Sequence, residues 1–432
     1  MTEATGYRER IPLIGFCLLA SVLSFPFIYS AIGVAVATLG AICFLGPALF
    51  RNFSQRKLLW VWTALYVWHA CSWFWSLDKG QANSDLGTKL SMLLLPVAIG
   101  SSGLLSRRNL QKVVFAFISG LTVVACWCMW QSWQRYQISH DANTLFYHQL
   151  VQGLDANAVY VGWYTITALF FILLEPVEIS FFRNGFVRLL FIVVLLPFFL
   201  LLTARTLLLF FLLVGIPVAL LHSFRRRVSR SSRLLIRTTA FLMVALSVVA
   251  FRTPSIQARF QELKKSKPEL SFLPHYQGED REFGNLNVRL FLWRVGISSL
   301  TATPQVLLAG TGIGDAHLVI NERIRQLGIA PMEEQAANRH AFYDINLHNS
   351  FLQIALMTGL IGLVLLLTVV FAPFANAIRR FKTHPFDLVF YLSSVVFMMQ
   401  EAVFQTQAGI IFYLTFWCLL ADYGYRNRIP AQ

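Results

Sequence analysis

The chain has 432 residues, is 56% hydrophobic and only 13% charged, and contains 38 Phe. That leaves too little polar surface for a soluble protein of this size, and its apolar runs lack the period-two alternation of an outer-membrane barrel, so the class is an all-α polytopic membrane protein. A net charge of +15 would suggest a nucleic-acid partner in a soluble protein, but here its distribution marks topology and no nucleic-acid partner is expected.

The N-terminus, "MTEATGYRERIPLIGFCLLASVLSFPF", has basic residues before an apolar core. It lacks a small-x-small cleavage site followed by polar sequence, so it reads as a first transmembrane helix. It is the first of twelve spans, near 11–27, 29–50, 58–76, 90–105, 112–132, 158–175, 187–203, 206–222, 238–251, 350–373, 387–404 and 408–424. Cys17, Cys43, Cys71, Cys126, Cys128 and Cys418 all lie in apolar runs and read as small packing residues. Basic segments begin at 51, 106, 181, 223 and 378, Arg8 and Arg10 precede the first span, and Arg426 and Arg428 follow the last. All fall on one side of a twelve-span arrangement, which makes that side and both termini cytoplasmic. "RRRVSRSSR" is then a topology determinant at the lipid headgroups.

The stretch 187–222 is nearly continuous apolar sequence with one charge, Arg205. As a single helix it would be about 54 Å long, too long for one crossing. Basic segments flank both ends, so it is expected to be a hairpin of two short spans turning near Thr203–Thr206. That puts Arg205 at the outer face, where it avoids the cost of a mid-bilayer arginine. The outer side carries one large element. The expected division is therefore transmembrane helices one to nine over 1–251, a helical cap over 252–347, and helices ten to twelve with a short cytoplasmic tail over 348–432. Within the cap "NVRLFLWRVGI" predicts a helix with Arg289, Trp293 and Ile297 on one face, and Pro331 is expected to start another through "PMEEQAANRH". "GTGIGD" lacks the strand–turn–helix context of a phosphate loop and reads as a turn. "LKKSK" at 263–267 reads as a solvated loop, with contact to acceptor phosphates as the alternative. No internal repeat is evident, which weighs against a transporter.

His348 stands at the threshold of the tenth span, with Gly359 eleven residues on and Gly362 three further. If the helix includes the histidine, the glycines form a notch beneath it on the same side. The notch serves either close helix packing or room for a lipid tail.

His348-Asn349, nine residues, Gly359, two residues, Gly362 resembles the histidine motif of the O-antigen ligase and polymerase superfamily. "RTLLL" from Arg205 is similar to that family's Arg-x-x-x-Leu. "NVRLFLW" resembles its arginine followed four residues later by tryptophan, here Arg289 and Trp293, and "GTGIGD" resembles its glycine-rich turn. The order and the single large late loop match the ligase layout. The resemblance implies a GT-C-type glycosyltransferase of lipopolysaccharide biosynthesis. Such an enzyme moves polysaccharide from undecaprenyl diphosphate, the donor, to a sugar of lipid A–core, the acceptor, at the periplasmic face of the Gram-negative inner membrane. It uses no nucleotide sugar, cofactor or metal.

The residues bear on that chemistry. A lipid diphosphate leaving group gains negative charge as the glycosidic bond breaks, and a cation must stabilise it. The chain has no Asp-x-Asp motif for a metal. Arginine remains, because a guanidinium stays charged and grips phosphate through two hydrogen bonds. Arg205 and Arg289 are the candidates, against readings as an interfacial arginine and a solvated cap residue. The attacking hydroxyl needs a base, for which His348 is suited and His340 is second choice. The competing reading of His348 is an interfacial histidine bonded to a carbonyl. Asn349 is expected to orient a helix end, and Glu401, near the outer end of span eleven, to line the cavity or pair with an arginine. Other readings are an O-antigen polymerase or protein O-oligosaccharyltransferase of the same superfamily, or a polytopic transporter. The expected outcome of adding a chelator to a transfer assay is an unchanged rate; a fall would reveal a metal the motifs do not announce.

Overall fold

A computed structural model describes residues 2–104, 106–154, 156–175, 184–225, 230–250, 266–329 and 342–426, with the single positions 179, 257 and 261. Among these residues the secondary structure is helical, with no strand. The main helices are α1 (Thr2–Val22), α2 (Phe27–Leu45), α3 (Lys57–Ser72), α4 (Lys79–Lys89), α5 (Arg107–Ser139), α6 (Ala158–Leu174), α7 (Gly185–Leu201) and α8 (Arg205–Ser223). They continue with α9 (Arg230–Ala250), α10 (Asn285–Leu300), α11 (Pro304–Ala309), α12 (Ala316–Gln326), α13 (Ser350–Phe371), α14 (Pro385–Met398) and α15 (Gln407–Arg426). A helical segment occupies each of the twelve apolar stretches. Among the described residues α2, α5, α8 and, followed through Arg380, α13 are long and apolar enough to cross a bilayer. α6, α7, α14 and the apolar parts of α1 and α15 are shorter apolar helices. The chain is thus a helical membrane protein. The helix expected from Pro331 lies outside the described residues.

The segment 187–222 is a hairpin, with α7 and α8 meeting at a turn over 202–204 in which Thr203 takes a left-handed φ of 46°. The turn sits against α6, which is apolar all round and buried along almost its whole length. At Gly162 of α6 an added methyl would press on Ala204 and Leu207. The small residue therefore lets the turn that carries Arg205 close onto the central helix.

Buried apolar side chains form two cores. The larger fills the bundle. The smaller lies under the cap, where Tyr276, Phe283, Phe291 and Phe342 meet edge to face. This second core also takes in Ala82 of α4 and Ala355, Leu356 and Met357 of α13, so cap and bundle share it.

α13 starts at Asn349, whose Oδ1 accepts from the backbone N–H groups of Phe351 and Leu352 at 3.0 Å each. His348 therefore lies outside the helix, so the condition under which it would share a helical face with Gly359 is not met. Gly359 itself breaks the helix, with φ 67° and ψ −169°, a region open essentially to glycine alone. The break exposes three carbonyls, each of which finds an outside donor. Thr311 N–H bonds to Leu356 O at 2.8 Å and Gly312 N–H to Met357 O at 3.1 Å. Trp68 Nε1 bonds to Thr358 O at 2.8 Å. "GTGIGD" is thus a turn, and its work is to dock the cap onto the kink. The notch at Gly359 holds the backbone of Leu308 and Ala309, which leaves no room there for a lipid tail.

At the other end of the bundle, five of the seven basic segments meet. Asn52 Nδ2 donates to Ser101 O at 3.1 Å, Arg188 Nη2 to Ser232 Oγ at 2.7 Å, and Arg225 Nη1 to Phe381 O at 3.0 Å. Arg107 pairs with Glu175 and approaches Asp387, which Arg380 holds at 3.1 Å. His384 Nδ1 lies 3.3 Å from Glu175. Burial, then the charges of Arg107 and Arg380, push its imidazole down to about 3, so the neutral ring donates to the carboxylate. Arg205 stands roughly 27 Å from this end along α8.

Gly359→Ala would drive a methyl into the Leu308 backbone from a forbidden conformation. The expected destabilisation is about 3 kcal/mol or more, read as a lowered Tm of the purified protein; an unchanged Tm would mean the kink can relax.

Candidate active site

The turn between α7 and α8 sets Arg205 at the first residue of α8. Arg289 lies one turn into α10, on the same face as Asn285 four residues before it. The two arginines come from distant parts of the chain and line one open cleft, together with Tyr147, Thr203, Asn285 and Gln400.

Glu401 connects this cleft to the histidine. Its carboxylate is 7% exposed, with Oε1 3.0 Å from Arg289 Nη2 and Oε2 3.3 Å from His348 Nδ1. The imidazole is 27% exposed. With Nδ1 facing a carboxylate, the other ring nitrogen, Nε2, is the one left to accept a proton. The pair is a buried acid orienting an imidazole, the same logic by which a carboxylate sets the tautomer of a catalytic histidine.

Local structure fixes the histidine tightly. His348 has a left-handed φ of 45°, a conformation that costs a side-chain-bearing residue about 1 kcal/mol or more. Its own N–H donates to Asn346 Oδ1 at 2.9 Å, and the N–H of Leu347 donates to Gln353 Oε1 at 2.9 Å. Ser350 Oγ donates to Glu401 O at 2.7 Å and accepts from Val403 N–H at 2.9 Å. The start of α13 and the turn after α14 are therefore locked together, and with them the imidazole and its carboxylate. Lys89, fully buried, steadies the far end of that turn, with Nζ 3.1 Å from Asp85 and 3.4 Å from Gln405.

Arg205, Arg289, Glu401 and His348 thus lie in one connected region. Asn349 caps α13, and its Nδ2 reaches Met399 O at 3.4 Å. Trp293 lies one turn beyond Arg289, its indole N–H buried with no partner among the described residues. His340 lies outside the described residues. Lys267 pairs with Glu282 at 3.1 Å on the exposed surface. Asn285 was detectable in the sequence from its spacing to Arg289, and Gln400 from its place beside Glu401. Tyr147 carried no signal, because it falls in the connection between two spans. Among the described residues no group of three or more His, Cys, Asp or Glu is set to hold a metal ion.

A family model described as O-antigen ligase matches residues 190–367. The matched stretch contains Arg205, Arg289, Trp293, His348 and Asn349 and ends before Glu401. No curated protein matches the chain.

Glu401→Gln keeps the side chain's size and removes the charge that holds Arg289 and His348. The expected result is a loss of about 100-fold in the initial rate of glycosyl transfer with Tm little changed. A rate equal to the parent's would mean the bridge has no part in the chemistry.

Proposed function

Because the chain belongs to the O-antigen ligase superfamily, which its residues 190–367 match, we propose that it is the ligase. In this reading it is a GT-C-type glycosyltransferase that transfers polysaccharide from undecaprenyl diphosphate to a sugar hydroxyl of lipid A–core. The observation that carries the reading is the bridge at Glu401. One carboxylate oxygen holds an arginine of the diphosphate cleft and the other holds the imidazole, so the leaving-group site and the base are two sides of one assembly.

The donor lies with its diphosphate against Arg205 and Arg289. The acceptor hydroxyl approaches from the His348 side and attacks the anomeric carbon of the first donor sugar. A bond forms between acceptor oxygen and anomeric carbon, while the bond from that carbon to the phosphate oxygen breaks. The electron pair leaves with the diphosphate, whose growing charge the guanidinium groups meet. The hydroxyl proton passes to His348 Nε2, and Glu401 stabilises the imidazolium that results.

The reading also includes the topology: twelve spans, both termini cytoplasmic, the site on the periplasmic face of the inner membrane. The meeting of five basic segments at the end opposite Arg205 supports it, since short basic connections stay on the cytoplasmic side.

The test is transfer in vitro from purified lipid-linked polymer to purified lipid A–core. His348→Ala is expected to lower the rate by about 1000-fold in a protein that still inserts and folds, while Arg205→Ala and Arg289→Ala weaken binding of the diphosphate lipid. Cells lacking the protein should keep lipid-linked polymer and lose polymer-bearing lipopolysaccharide; loss of chain elongation instead would assign the chain to polymerisation.

A further inference from the structure

The turn after α14 gives two consecutive residues different surroundings. Glu401 binds Arg289 and His348, while Gln400, the residue before it, lines the cleft with Arg205 and Arg289. Gln400 is half-buried, and among the described residues its side-chain amide makes no hydrogen bond. Its backbone, by contrast, is pinned. The N–H groups of Gln400 and Glu401 both donate to Phe397 O at 2.9 Å. The carbonyls on either side are also taken. Met399 O accepts from Asn349 Nδ2 at 3.4 Å, and Glu401 O accepts from Ser350 Oγ at 2.7 Å. Phe397 itself lines the cleft and stacks on Trp163 with ring centroids 4.5 Å apart. An amide with an unused carbonyl and unused N–H donors is thus carried by rigid backbone at the cleft wall.

Its place along the wall fixes what it can meet. In the ligase reading the diphosphate lies at the arginines and the attacking hydroxyl comes from the His348 side. The first donor sugar must span the two, with its anomeric carbon where the chain of contacts from Arg289 through Glu401 to His348 passes from one to the other. Gln400 is the cleft residue next to that chain in the sequence. It carries no charge, so it can accept a hydrogen bond there without repelling the diphosphate. As the bond to the leaving group breaks, the anomeric carbon becomes electron-poor. Hydrogen bonds to the substituent on the neighbouring ring carbon then strengthen.

We propose that Gln400 is a specificity-determining residue of the donor site, whose amide binds the polar substituent, a hydroxyl or an acylamino group, on the ring carbon beside the anomeric carbon of the first donor sugar. This rests on the ligase reading and deepens it. An O–H or N–H on that substituent donates to Gln400 Oε1, and an acylamino carbonyl accepts from Nε2 as well. The contact tightens as the diphosphate departs, so it contributes to the rate. A donor without the substituent leaves the amide unpaired and is discriminated against for that reason.

The test uses the full-length protein in lipid nanodiscs and two synthetic donors. Both are undecaprenyl diphosphates carrying one sugar repeat; the first sugar either bears the substituent or is deoxy at that carbon. Gln400→Met keeps the side chain's length without its hydrogen-bonding groups. It should lower kcat/KM for the substituted donor about tenfold and leave kcat/KM for the deoxy donor and KM for lipid A–core unchanged. The parent's preference for the substituted donor should therefore fall about tenfold, a ratio from which the intrinsic reactivity of each sugar cancels. Gln400→Ala should change the ratio in the same way, so the result does not depend on how methionine packs. Equal losses on both donors would make Gln400 a prop of the turn and overturn the proposal. A change confined to KM for lipid A–core would place the residue on the acceptor side and overturn it too. Should the parent bind donor yet transfer nothing to lipid A–core, the ligase reading falls, and calorimetry of donor binding decides this one by itself. The substituted donor should then bind the parent about threefold more tightly than the deoxy donor and bind Gln400→Met no more tightly; equal binding of the two donors to the parent refutes the assignment.

Discussion

A carboxylate shut away from water beside a cation and an imidazole organises the cleft end of this protein. Glu401 is nearly buried, and a buried carboxylate is stable only when paired and hydrogen-bonded. Its two oxygens supply that need from opposite directions, to Arg289 of the cap and to His348 at the head of α13. The same two contacts therefore join three elements far apart in the chain and bring the cation-lined cleft against the candidate base. Breaking either contact leaves the other group facing an unbalanced partner, which is why the region behaves as a unit.

The bridge depends on α13 and the cap being held in register, and that register is built from backbone. Gly359 opens the helix, and the carbonyls freed by the break are taken by Thr311, Gly312 and Trp68. Gly310, with φ 79°, approaches so close to Met357 that a side chain there would collide with it. Hydrogen bonds of this kind are directional and tolerate little sliding. They fix the depth at which the cap rests on the bundle, and hence the position of Arg289 relative to Glu401. A glycine pattern that looks like a packing signal is here a device for seating the cap on the bundle.

The two ends of the bundle use charge differently. At the basic end Arg107, Arg380, Glu175 and Asp387 neutralise one another, and His384 remains uncharged among them. At the cleft Arg289 is held by Glu401, and Arg205 lines the same cleft.

Composition and hydropathy by themselves determined that the chain is helical and membrane-embedded, and the spacing of basic segments located the hairpin whose turn carries Arg205. Those features are local: each depends on how a short run of residues meets lipid or water. The histidine motif, the arginine–tryptophan pair and Glu401 were visible as separate signals for the same reason. Only the tertiary structure decided that Glu401 touches both Arg289 and His348, that Tyr147 and Gln400 complete the cleft, and that Gly359 receives backbone instead of lipid. Those outcomes depend on contacts between residues from 45 to more than 100 positions apart, and no periodicity in a sequence encodes which distant segment fills a gap. Whether α13 takes in His348 was left open by the sequence; it begins just past it, because Asn349 offers its side chain to the first free N–H groups.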